Sequence, residues 1–138
     1  LCKKFPSGVI FTDAVLFDYG LQGQRQLVGK LMKKHFMCTH AFLNNDAKKA
    51  FEDASNSMTD REIFEMMKGK KAEMLGHWRG DEDFFFCHWY AEDEDAIIDH
   101  LDKVGFNSLM NTLPNEMSIY MTNNNLTDKT AQELASEG

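Results

Sequence analysis

The sequence predicts an α+β domain in which one four-stranded antiparallel sheet carries two helices on a single face. Three observations lead there. Residues 84–91 (Phe-Phe-Phe-Cys-His-Trp-Tyr-Ala) form an aromatic run with turn residues before it and an acidic cluster after it, the pattern of a buried strand. From Met32 onward, apolar residues recur alternately at strand and helix spacing, in the order strand, helix, strand, strand, helix, strand. A chain of 138 residues that is 43% hydrophobic and 27% charged suits one globular domain with a real core.

The elements follow in order. Residues 1–31 differ from the rest: three glycines break a Gln-rich stretch after apolar runs that fit a short strand or hairpin, and Met32-Lys33-Lys34 reads like a translation start. They are expected to be an N-terminal extension, non-native or peripheral, the alternative being an arm that packs on a partner subunit. Residues 35–43 are apolar toward both faces and read as a central strand. Asn44-Asn45-Asp46 stops it and caps a helix, with Ala47, Ala50, Phe51 and Ala54 inward. Ser55-Asn56-Ser57 interrupts that helix. Thr59 and Glu62 then make a capping box, and Gly69 ends the second helical piece.

Residues 73–79 read as a strand joined to 84–91 by a hairpin at 80–83. Setting Arg79 opposite Phe84 places His77, Phe86 and His88 on one face, and Trp78, Phe85, Cys87, Met74 and Trp89 on the other. Residues 92–104 are a helix opening on Glu92-Asp93-Glu94-Asp95, acidic where the helix dipole favours it, with Gly105 as its C-cap. A last strand is expected at 106–113 and a short helix from Pro114 through Met121. The domain thus spans 32–122, and 123–138 is a polar C-terminal tail with one weak amphipathic pattern.

The order βαββαβ is the ferredoxin-like one. Right-handed crossovers put both helices on one side and leave the other sheet face bare. That face is rich in Phe, Trp and Met, so a second copy is the simplest cover. With the Cys-x-Trp of residues 87–89, the acidic start at 92–95 and the Gly105-Phe106 entry to the last strand, the chain resembles the dimeric α+β barrel superfamily. Within it the likeness is to small uncharacterised bacterial members and small nickel-binding members. The resemblance covers about two thirds of the chain (Met32 to about Leu126) and consists of fold features. It implies a homodimer with a pocket between sheet and helices in each subunit.

Net charge is −7, which argues against a nucleic-acid or anionic-membrane surface. No apolar run approaches the roughly 20 residues of a membrane span. Three Cys (Cys2, Cys38, Cys87) show no metal-type spacing. They are expected as reduced thiols of a cytoplasmic protein.

No phosphate loop, nucleophile elbow or dinucleotide fingerprint occurs, and no cofactor is expected. Cys87 and His88 are adjacent on a strand, point to opposite faces, and cannot pair as thiolate and imidazole. The expected function is binding of a hydrophobic small molecule, an acyl chain or an aromatic, with cofactor-independent conversion as an extension of it. The pocket would be lined by Phe36, Trp78, Phe86, Trp89 and Tyr90, with His40, His77 and His88 as candidates to orient a polar head or act as base. Two alternatives are a nickel or zinc site on His40, His77 and His88, and a dimerisation module without a ligand.

Overall fold

The computed structural model describes residues 32–137; the expectation for 1–31 lies outside them. Four strands, β1 (Lys34–Phe42), β2 (Ala72–Arg79), β3 (Phe84–Ala91) and β4 (Met110–Met117), form one antiparallel sheet in the order β2-β3-β1-β4. Helices α1 (Asn45–Asn56) and α2 (Asp60–Met66) connect β1 to β2, and α3 (Glu94–Lys103) connects β3 to β4. A further helix, α4 (Ala131–Glu137), lies within the polar tail. The architecture is α+β, with the βαββαβ order read from the sequence and a sheet compatible with the ferredoxin-like fold. No helix among the described residues is long and apolar enough to cross a membrane.

The caps at Asn44 and Thr59 are those that the sequence announces, whereas Asp93, read as one of four acidic residues opening the helix, is the N-cap of α3. Asn44 accepts from Ala47 N, Thr59 and Glu62 form a reciprocal capping box, and Asp93 accepts from Ala96 N. Gly105 closes α3 at φ +88°, a left-handed conformation that costs a side-chain-bearing residue energy. The core is one sheet face, with Phe36 and Cys38 of β1, Phe85, Cys87 and Trp89 of β3, Met74 of β2 and Met110 of β4. Phe51 of α1, Met67 just after α2, and Ile97 and Leu101 of α3 complete it. Ala50 and Ala54, expected to face inward, are exposed; α1 buries only Ala47 and Phe51.

Two details depart from the sequence reading. The last strand runs from Met110 to Met117 and includes Pro114, while Phe106–Ser108 is a single 3-10 turn. No helix starts at Pro114 because, among the described residues, β4 is an edge strand, paired only with β1. An edge tolerates a residue with no N–H on its unpaired side.

The second departure is in the β2–β3 register. Ala72, Glu73 and Met74 pair with Ala91, Tyr90 and Trp89 as the proposed register requires. The ladder then slips at Leu75, and Gly76, His77, Trp78 and Arg79 pair with His88, Cys87, Phe86 and Phe85. One extra residue on β2 is a bulge, and it sits beside a glycine. A Cβ on Gly76 would lie 3.0 Å from Trp78 Cη2. The bulge moves His77 to the face of Cys87 and Phe85, and Trp78 to the face of Phe86 and His88. Met74 and His77, three residues apart, both line the same cavity.

Candidate functional site

A cavity of about 70 Å³ lies between the sheet and the helices. Its apolar wall includes Met58, Ile63, Met66, Met67, Met74 and Leu101. Helices α1 and α2, the turn joining them, and α3 supply the lid. The sheet supplies the floor, which holds the polar groups His40, His77, Cys87 and Trp89. Arg79 and Ser55 stand where the lining becomes exposed.

His40 is 1% exposed. Its Nδ1 lies 2.8 Å from Thr112 Oγ1 of β4, and its ring stacks on Phe85 with centroids 4.6 Å apart. Its Nε2 is buried with no partner, and so is the indole N–H of Trp89, a residue that is 0% exposed. A buried polar group without a hydrogen bond costs about 1–3 kcal/mol. The two orphaned groups belong to residues of one cavity whose lining is mostly thioether and hydrocarbon. Burial, and then the neighbouring His77, hold the His40 pKa down at about 4, so the imidazole is neutral at pH 7. Whether Nε2 accepts or donates follows from which way the bond to Thr112 runs, since a neutral imidazole has one donor and one acceptor nitrogen.

His77 Nδ1 lies 3.2 Å from Cys87 Sγ. Burial, and next the positive charge of Arg79, lower the His77 pKa. Burial, and next Cys38, push the Cys87 thiol up, against a smaller downward pull from Arg79. Cys38, directly opposite Cys87 across β1 and β3, is pushed up to about 12 by burial and by Glu94. Both cysteines are free thiols, and neither is a thiolate at neutral pH, so the contact with His77 is a neutral hydrogen bond and not an activated nucleophile. Arg79 is held over the mouth by a 2.8 Å hydrogen bond to Ser55 Oγ and by the Phe51 ring, 5.2 Å from its guanidinium carbon.

The sheet divides the residues expected from the sequence. His40, His77 and Trp89 line the cavity. Phe36 is buried on the same face but packs in the core beside the cavity. Trp78 and Phe86 form an exposed cross-strand pair on the opposite face. His88 and Tyr90 share that face. There His88 Nε2 lies 2.8 Å from His35 Nδ1, and Tyr120, which follows β4, packs on both imidazoles. Burial lowers the pKa of both His35 and His88, with His35 adding to the effect on His88. The set His40, His77 and His88 is therefore split across the sheet. Among the described residues no group of three or more His, Cys, Asp or Glu is placed to hold a metal ion.

Sequence reasoning missed Met58, Ile63, Met66, Ser55, Arg79 and Thr112. Ile63 and Met66, three residues apart on α2, carried a signal, since an apolar helix stripe must face something. Thr112 carried none, because its partner His40 lies 72 residues away in the chain. No family model, curated protein or solved structure matches this chain.

Proposed function

We propose that the cavity binds a small, mostly apolar molecule with a polar group at one end. The observation that carries this reading is the pair of buried, unpartnered polar groups, His40 Nε2 and the Trp89 indole N–H, on residues that line one apolar cavity. A ligand atom meeting them would return the hydrogen bonds that folding removes. At about 70 Å³ the cavity is roughly half the size of one that takes benzene, so an aromatic ring or a chain would enter as Met58, Met66 and Met67 repack, which flexible thioethers allow. The chemistry favours binding over turnover. Both thiols are protonated, and a histidine with a pKa of about 4 is a weak base at neutral pH.

The test is thermal unfolding with toluene, phenol and benzamide. A ligand that binds only the folded state raises the melting temperature with concentration. Phenol and benzamide should stabilise the wild type more than toluene does, and His40→Leu should remove the difference. No stabilisation by any of the three probes would sink the proposal.

A homodimer belongs to the same reading. The sheet face away from the helices leaves Trp78 55%, Leu113 62% and Phe84 44% exposed, with Phe86 and Met117 beside them. An apolar patch of this kind favours burial against a second copy, in the manner of the dimeric α+β barrels that the chain resembles. A reducing, cytoplasmic setting would suit the two free thiols that face each other across β1 and β3.

A further inference from the structure

Among the described residues that line the cavity there is no carboxylate. The polar ones are Arg79, His40, His77, Trp89, Ser55 and Cys87, all donors or groups able to donate. The absence is notable in a chain with 22 Asp and Glu against 15 Lys and Arg. Ion pairs among the described residues use Lys34, Lys48 and Lys129. Arg79 has no carboxylate within 4 Å there, and one hydrogen bond, to Ser55, engages its guanidinium. A guanidinium has five N–H donors in a fixed fork that matches a carboxylate. Ser55 and the Phe51 ring hold this one at the mouth of the cavity.

The register sets the distance from this charge to the orphaned imidazole. Arg79 of β2 pairs with Phe85 of β3, which pairs with His40 of β1. Two strand spacings, about 10 Å, separate the backbones of Arg79 and His40 along this row, and the Phe85 side chain stands between them, so a ligand reaching from one to the other would lie over Phe85.

We infer that the ligand is an apolar monocarboxylic acid whose carboxylate pairs with Arg79 at the mouth and whose second, uncharged polar group reaches His40 and Trp89 inside. This rests on the cavity being a binding site at all. The carboxylate would neutralise the charge that Arg79 brings to the site. His77, which lines the cavity from the same side of β2, would then lose one of the two influences that hold its pKa down.

The experiment is calorimetric titration of the full chain with 4-hydroxybenzoate and with 4-hydroxybenzamide, which match in size and differ in charge. The acid should bind severalfold more tightly than the amide, as expected for a bidentate pair with an exposed guanidinium. Arg79→Gln should bring the two to parity by weakening the acid alone, and Arg79→Lys should keep part of the preference. Equal or tighter binding of the amide to the wild type would overturn the acid inference and leave the cavity reading intact. Equal loss of both ligands in Arg79→Gln would also overturn it, since Arg79 would then be a wall and not a charge partner. Binding of neither compound, with phenol also inert, would remove the cavity reading and this inference together. The wild-type comparison decides the matter even if the variants do not fold.

Discussion

His40 and Trp89 are placed at a cost to stability. Each leaves a buried polar atom without a partner, and natural binding sites commonly trade stability for such groups. Leucine at position 40 removes the orphaned nitrogen and keeps most of the volume. His40→Leu should therefore unfold at the same urea midpoint as the wild type or a higher one at pH 7, while losing affinity for phenol. A clearly lower midpoint would mean that the bond to Thr112 outweighs the orphaned nitrogen. The pH dependence has a definite sign. The folded-state pKa of His40 is about 4 against an ordinary 6.5, so between these values the unfolded chain takes up a proton that the folded one refuses. The stability contributed by neutral His40 is complete above 6.5 and is lost as the pH falls toward 4. The full effect is on the order of 3 kcal/mol. His35, His77 and His88 have pKa values lowered in the same direction and add to it. Urea midpoints should fall steadily from pH 7 to pH 5, and less steeply in His40→Leu.

At the scale of elements, the bulge in β2 decides which of its side chains line the cavity. Because Leu75 is the extra residue, its deletion joins two stretches of ladder that are already in phase, Met74 opposite Trp89 and Gly76 opposite His88. Deletion of Leu75 should give a folded protein with β-rich circular dichroism, destabilised by no more than about 2 kcal/mol. Deletion of Trp78 breaks the in-phase ladder and should abolish cooperative unfolding. Equal damage from both deletions would contradict the bulge assignment. Helix α3 offers a simpler test of capping. Asp93→Ala removes the acceptor for Ala96 N and should cost about 1 kcal/mol in urea unfolding.

The same elements show what the sequence could and could not say. Caps at Asn44 and Thr59 are local chemistry within three residues of their partners, so they are legible in the sequence, as is the aromatic run of β3. The slip at Leu75 is invisible to period-two reasoning, which carries one register through a whole strand. Pro114 fits a helix's first turn by local preference, but its place on the edge strand β4 is set by pairing with β1. The cavity itself depends on pairs such as His40 with Thr112, which only the assembled sheet brings together.

At the scale of the whole molecule, one sheet face carries the helices and the other carries exposed Trp78, Phe84, Phe86, Leu113 and Met117. Native mass spectrometry and light scattering should give a dimer that dissociates on dilution. Trp78→Glu should shift the mass to the monomer by placing a charge on that face. A wild-type monomer at high concentration would contradict the proposed barrel but not the cavity, which one chain forms alone.

The two tryptophans give the most direct test of the central claim. Trp89 lines the cavity with an unpartnered indole N–H, and Trp78 is exposed on the opposite face. In a ¹⁵N–¹H spectrum their two indole signals can be followed while phenol is titrated in. The expected result is a saturable shift of the Trp89 signal with Trp78 unmoved. A Trp89 signal that stays fixed, or moves only in step with Trp78, would contradict a ligand site between the sheet and the helices.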